Sequence, residues 1–207
     1  MNKTRIKTIG FALVCLLATM QSAAQEGSSY TTLSYSPSIA LGESADFVEG
    51  MQWRGINLSY HYFVSDQASI GFTSGWNVFR TESDGDVTRQ LEEGNNIITL
   101  TGKQFRYVNT VPILASARYH WGDEDGLRVF GGLSAGFYYV DRRVEMGLFA
   151  TDTETGQFGI APTAGILFPS YGSAGFHIEF QYNNAFESRK GDAFSYLDLN
   201  LGFSWGF

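Results

Sequence analysis

Cysteine is almost absent from this sequence: the 207 residues contain one, Cys15. A single cysteine excludes an intrachain disulfide and a multi-thiolate metal site. Long apolar runs are equally scarce. The clearest one, Ile9–Met20, is shorter than the roughly 20 residues that a spanning helix needs. If the chain enters a membrane, it must therefore do so with strands that close into a barrel.

The first 24 residues have the pattern of a secretory signal. Lys3, Arg5 and Lys7 precede the apolar run, and the small residues Ser22–Ala24 follow it. This pattern predicts a signal peptide over 1–24 and one domain over 25–207, exported to the cell envelope. The alternative is a short N-terminal membrane anchor.

Positive charge is also in short supply, because the formal net charge is −7. An acidic chain of this kind argues against nucleic acid as a partner. Beyond residue 24 the lysines are Lys103 and Lys190, both in predicted loops. A strand face turned to water normally carries several lysines and glutamates. Their scarcity favours a lipid-facing exterior over that of a soluble lipocalin-like barrel.

What the sequence does contain is alternation of apolar and polar residues with a period of two. In 174–182, apolar Phe176, Ile178, Phe180 and Tyr182 alternate with small and polar residues, which include His177, Glu179 and Gln181. Eight such segments occur: 30–41, 52–64, 68–78, 111–121, 127–139, 158–168, 174–182 and 197–207. The fold class predicted is all-β, an eight-stranded antiparallel up-and-down transmembrane β-barrel.

The connections between these segments alternate in length. Those at 65–67, 122–126 and 169–173 are short and rich in turn-forming residues. Those at 43–50, 80–103, 142–156 and 187–192 are mostly longer and more polar. Short periplasmic turns and long extracellular loops are typical of outer-membrane barrels.

Aromatic residues gather near both ends of the predicted strands, as expected for side chains at the two membrane interfaces. The predicted periplasmic girdle contains Tyr60, Tyr62, Tyr119, Trp121, Phe168, Tyr171, Trp205 and Phe207. The predicted extracellular girdle contains Trp53, Trp76, Phe79, Tyr107, Tyr139, Phe158 and Phe186.

The last strand carries a specific motif, in which Asn200, Gly202, Trp205 and Phe207 occupy the positions of the outer-membrane assembly signal. With the strand pattern of 111–119, it makes the chain resemble the outer-membrane β-barrel domain family, whose small members are OmpX-type barrels and the OmpA membrane domain. The resemblance implies an integral location in a Gram-negative outer membrane, contact with its lipid and lipopolysaccharide, and the barrel assembly machinery as a partner of the C-terminal strand.

Residues suited to catalysis are few. The histidines are His61, His120 and His177, and His177 shares a strand face with Glu179. The His-x-Ser-Asn motif of lipid A deacylases is missing from the nearest string, 181–185. The sequence therefore predicts no catalytic, cofactor-binding or metal-ligating set, and places His177 and Gln181 in a polar lumen.

Four charged residues are predicted to form an ion network inside the barrel. Arg118 and Arg128 are expected roughly opposite each other across one turn, and Glu179 and Asp198 across one loop. Each pair is like-charged, so the arginines are expected to bind the acids across the narrow lumen.

Three functions stay open. The first is a non-enzymatic barrel that is structural or binds an unknown partner through its extracellular loops. The ribbon expected in 80–103 would offer a strand edge to such a partner. The second is a narrow passive channel or carrier for small or hydrophobic molecules. The third is a lipid-modifying barrel enzyme.

Overall fold

The computed structural model describes residues 28–83, 87–93, 96–122, 126–147, 149–169, 174–189 and 191–206, with the backbone alone for 87–93, 96–100 and 169. The predicted signal peptide lies outside these residues. In chain order the elements are β1 (Ser29–Tyr35), β2 (Ser38–Ala40), α1 (Glu43–Phe47), β3 (Met51–Gln52), β4 (Arg54–Phe63), β5 (Ala68–Glu82), β6 (Val87–Glu93), β7 (Asn96–Gly102), β8 (Gln104–Trp121), β9 (Arg128–Met146), β10 (Phe149–Pro169), β11 (Ala174–Ala185) and β12 (Phe194–Trp205).

Eight of the strands form a closed antiparallel ring in the order β1, β4, β5, β8, β9, β10, β11 and β12. The ring closes where β1 pairs with β12, with Leu33 opposite Phe203. Closure leaves no sheet edge within the membrane, which the bilayer requires. The predicted eight-stranded up-and-down barrel is confirmed.

The first extracellular connection folds back into the mouth of the barrel. The chain leaves the β1 ladder at Ser36 and Pro37, and proline cannot donate to a ladder. It then forms β2, which pairs with both β12 and β3, and the one-turn helix α1 between β2 and β3. Part of the predicted loop 43–50 is therefore helical.

The wall rises much higher on one side than on the other. Strands β5, β8, β9 and β10 have 15, 18, 19 and 21 residues, whereas β4, β11 and β12 have 10, 12 and 12. The prediction of a loop over 142–156 is wrong, because Arg142 pairs with Thr153 within a continuous β9–β10 hairpin. The expected ribbon in 80–103 is present as the hairpin β6–β7, a separate two-stranded sheet.

Side chains alternate between the lumen and the exterior along every wall strand. On β11, His177, Glu179 and Gln181 are buried, while Phe176 and Phe180 are exposed. The core thus lies inside the barrel, and the outer surface is apolar. No helix in the part of the chain that the structure describes is long and apolar enough to cross a membrane.

Glycine in the wall makes room for large lumenal rings. A Cβ on Gly165 would lie 2.6 Å from Cζ of Phe130, and one on Gly159 would lie 2.7 Å from Cε2 of Tyr138. Both rings are fully buried. Small residues in a strand often mark such close approaches, and here they let aromatic side chains cross the narrow interior.

Candidate functional site

The middle of the lumen contains a buried ion pair between opposite sides of the barrel. Nη2 of Arg118 on β8 lies 2.7 Å from Oε2 of Glu179 on β11, and the two side chains are only 1% and 3% exposed. Asn200 Nδ2 donates to Glu179 Oε1 at 3.5 Å, and Arg118 Nη1 donates to the Tyr30 hydroxyl at 3.5 Å. This half of the predicted ion network is present.

The other half is not present, because the structure does not bring Arg128 to Asp198. Arg128 lies at the periplasmic end, where Nη2 donates to the carbonyl of Asp66 at 3.2 Å and the guanidinium is 5.1 Å from the ring centroid of Phe63. Asp198 lies in the middle of the lumen and accepts hydrogen bonds from two amides, Asn77 at 2.6 Å and Asn183 at 2.9 Å.

The register explains this difference. Arg118 stands opposite Gly132, not Arg128, and Glu179 stands opposite Asn200, not Asp198. The expectation that like charges face each other across the turn and the loop is therefore wrong. Gly132 leaves space for its neighbour, since a Cβ there would lie 2.8 Å from Cγ of Arg118. The arginine can thus cross to β11.

Each of the three histidines is buried and bonds a serine through Nε2. The pairs are His177 with Ser34 at 2.8 Å, His120 with Ser69 at 2.9 Å and His61 with Ser116 at 3.1 Å. A serine–histidine catalytic set needs an acid that orients the other ring nitrogen. In the described part of the chain, Nδ1 of each histidine has no hydrogen-bond partner.

The polar lumen predicted around His177 also contains Gln181. Its Nε2 donates to Asn183 Oδ1 at 2.8 Å, which links it to the amides around Asp198. Among the described residues, no group of three histidine, cysteine or acidic side chains could hold a metal ion. Several lumenal side chains thus hydrogen-bond one another.

Two apolar clusters lie at the two ends of this polar region, and neither was predicted from the sequence. The outer cluster, at the extracellular end, contains Ala40, Val48, Phe79, Val108, Leu114, Tyr138, Val140, Ala161, Ala185, Phe194 and Tyr196. The inner cluster, at the periplasmic end, contains Tyr30, Phe63, Phe130 and Leu167. The signal was available, because these strand residues are in phase with the small and polar lumenal positions of their own strands.

The exterior carries exposed rings near both ends of the wall. Tyr119, Trp121 and Trp205 are exposed at the periplasmic side, and Trp53, Trp76, Tyr139, Phe158 and Phe186 at the extracellular side. Phe79 was wrongly assigned to the extracellular girdle, since it is fully buried in the outer cluster. Tyr171 and Phe207 lie outside the described residues.

The assembly-signal residues of β12 divide between the two faces. Asn200 points into the lumen and accepts a hydrogen bond from Ser36 at 2.6 Å, whereas Trp205 is exposed on the outside. Gly202 packs closely against the backbone of Leu33 and Ser34 on β1. The strand that bears the motif, β12, is thus one of the two strands whose pairing closes the barrel, and β1 is the other.

Known structures share this architecture at low sequence identity. Ail, the attachment invasion locus protein of Yersinia pestis, in a complex with the heparin analogue sucrose octasulfate, is 16% identical with a TM-score of 0.51; the match covers 88% of this chain and 100% of Ail. Neisserial surface protein A is 12% identical with a TM-score of 0.54 and the same coverages, 88% and 100%. OprG of Pseudomonas aeruginosa is 12% identical with a TM-score of 0.52, covering 88% and 97%.

No protein-family model matches the sequence, and no curated protein matches it. The fold that this chain shares with these structures, together with its exposed apolar exterior, is that of a small outer-membrane β-barrel.

Proposed function

We propose that this protein is a closed, non-enzymatic barrel that binds a partner through the part of its sheet above the extracellular mouth. The observation that carries the proposal is the filled lumen. The outer cluster, the Arg118–Glu179 pair and the inner cluster succeed one another along the barrel axis. An eight-stranded barrel is narrow enough for such side chains to occupy its interior.

The tall side of the wall offers strand edges to a partner. Strand β10 pairs with β9 from Phe149 onward, but its pairing with β11 begins only at Gly159, opposite Ala185. In the described part of the chain, no strand pairs with the other edge of β10 from Phe149 to Glu154. Unpaired backbone groups of this kind can accept an added strand.

Charge near this edge indicates the chemistry of the partner. Asp152 and Glu154 are exposed on β10, and Nε of Arg143 lies 2.6 Å from Glu145 and 3.5 Å from Asp152. Acidic groups thus outnumber the base that they surround. They favour an extended polypeptide with basic residues over a polyanion such as the heparin analogue bound by Ail.

Recording from the purified protein in planar bilayers tests whether the barrel is closed. We expect a flat trace, because the buried side chains of the two clusters and of the Arg118–Glu179 pair occupy the interior. Stable conductance steps would contradict the proposal and favour the passive channel.

Binding is tested with a variant in which residues 144–151 are replaced by Asn-Gly. This change joins Arg143 to Asp152, which already face each other, through a turn that suits a hairpin. The probes are a short alternating lysine–valine peptide and heparin. We expect the peptide to bind the unaltered protein and to lose binding to the shortened one. Binding of heparin alone, or equal binding of the peptide to both proteins, would refute the proposal.

A further inference from the structure

The outer cluster is covered from the extracellular side by one short segment, residues 42–50. Within it, Val48 is fully buried in the cluster, and Ala45 and Phe47 pack against it. We call this segment the lid. Beneath it lie the rings of Phe79, Phe194 and Tyr196, whose centroids are 5.2 to 5.6 Å apart. We call these three rings the aromatic cup. The lid therefore shields the aromatic cup from water.

The lid has a glycine at each end. It is bounded by Gly42 and Gly50, which both have positive φ angles, 58° and 77°. Glycine adopts this conformation without the penalty that other residues have. The helix α1 between them has five residues and no side-chain cap at Gly42. So short a helix is not stable alone, and its order depends on packing against the cup.

Two arginines hold the lid from the barrel wall. The guanidinium carbons of Arg106 and Arg142 lie 5.6 and 5.8 Å from the ring centroid of Phe47. Arg106 Nη1 also donates to the carbonyl of Asp46 at 3.0 Å. Arg142 Nη1 lies 3.3 Å from Asp192, whose side chain is 91% exposed. An ion pair with so exposed a carboxylate adds little stability. Ser44 of the lid is also bound to the wall, because its Oγ accepts a hydrogen bond from the backbone N–H of Ser195 at 2.8 Å.

A crevice of about 280 Å³ already runs along the seam between the lid and the wall. Phe47 lines it on the lid side, and Phe194 and Arg142 line it on the wall side. Its rim holds the acids Glu43, Asp46 and Asp192. The geometry points to a binding site for a small uncharged aromatic molecule, which enters from outside between Phe47 and Phe194 as the lid swings on its glycines.

The surroundings of the crevice select this class of ligand. The three acids at the rim repel anions. The guanidiniums of Arg106 and Arg142 already lie beside the ring of Phe47, where a cationic ligand would have to bind. The aromatic walls favour stacking with a flat ring. The volume limits the ligand to a small molecule. The amides that bind Asp198 lie below the aromatic cup, so the site is blind and does not lead through the barrel. It is also distinct from the strand edges on β10.

Lid motion is tested by the rate at which a cysteine placed at the buried position 48 reacts with a maleimide. Val48→Cys would carry the one cysteine of the described chain, and Glu49→Cys, which is exposed, is the matched control. In outer-membrane preparations a membrane-impermeant maleimide should label Glu49→Cys at once and Val48→Cys slowly but completely. Adding Phe47→Ala should accelerate labelling of Val48→Cys. If Val48→Cys stays unlabelled with and without Phe47→Ala, the lid is a permanent cap and the inference is overturned.

Binding is tested with 6-fluoroindole as the probe, followed by its fluorine NMR signal with the protein in lipid nanodiscs. We expect a saturable shift with the unaltered protein and with Trp53→Ala, which removes an exposed ring outside the crevice. The shift should be lost in Phe47→Ala, shown to be folded by its faster migration on unboiled gels. No saturable shift with the unaltered protein, or the same shift with Phe47→Ala, would refute the site.

Discussion

Arg118 and Glu179 meet across the barrel, 2.7 Å apart, from strands that are not neighbours in the sheet. The two side chains are almost completely buried. If one of them were removed, water could not solvate the charge of the other. The pair therefore ties β8 to β11 through the lumen.

We predict that Arg118→Ala destabilises the folded barrel by about 3–5 kcal/mol, because it leaves the Glu179 carboxylate buried without its cation. The measurement is urea unfolding in lipid vesicles, read by the mobility of the unboiled band on gels. The double variant Arg118→Met with Glu179→Met should cost less than Arg118→Ala, since it leaves no uncompensated charge. Unchanged stability of Arg118→Ala would show that the pair contributes nothing.

Close packing of Phe130 on Gly165 gives a second prediction. A Cβ at Gly165 would lie 2.5 Å from the carbonyl oxygen of Ile178 and 2.6 Å from Phe130. Gly165→Ala should thus cost about 1–3 kcal/mol in the same unfolding measurement. Gly156→Ala is the control, because a Cβ there has no atom within 4 Å. Equal effects of the two substitutions would show that the ring does not depend on this glycine.

The hydrogen bond between Ser34 and His177 is the basis of a third prediction. Ser34→Ala removes the partner of His177 Nε2 in a buried setting, which costs about 1–3 kcal/mol. Thr31→Ala alters the same strand on its outer face and should have a small effect on the unfolding free energy. A Ser34→Ala variant as stable as Thr31→Ala would mean that the imidazole finds another partner.

The alternation of residues was enough to predict the wall of the barrel. On β11 it assigned Phe176 and Phe180 to the outside and His177 and Glu179 to the lumen, as the structure has them. It works because successive side chains on a strand point to opposite faces. For Phe79 the same rule predicts the lumen, whereas its position near a loop suggested the girdle, and the rule is the one that holds.

The interior was harder to predict, because it depends on register between distant strands. A shift of two residues keeps every side chain on its face, so the pattern cannot distinguish Glu179 opposite Asn200 from Glu179 opposite Asp198. The tall hairpin escaped detection for another reason. At the top of the hairpin the residues from Phe149 to Glu154 are all exposed, so residues such as Arg143 and Asp152 show no apolar alternation.

The last prediction concerns the depth of the four tryptophans in the membrane. Trp53, Trp76, Trp121 and Trp205 are all exposed on the barrel. Trp121 and Trp205 end β8 and β12, Trp53 precedes β4, and Trp76 is two residues from Val78, opposite Arg54 at the start of β4. Rings at these positions lie at the level of the lipid headgroups.

In vesicles, lipids brominated near the headgroup should therefore quench tryptophan fluorescence more strongly than lipids brominated near the end of the acyl chain. Trp76→Phe should lower the total tryptophan fluorescence and leave the quenched fraction unchanged, because the three remaining rings are exposed as well. Stronger quenching by chain-end bromine would place the rings at the middle of the bilayer. Fluorescence insensitive to both lipids would mean that the exposed apolar wall does not face the bilayer, and the assignment of lumen and exterior would then be reversed.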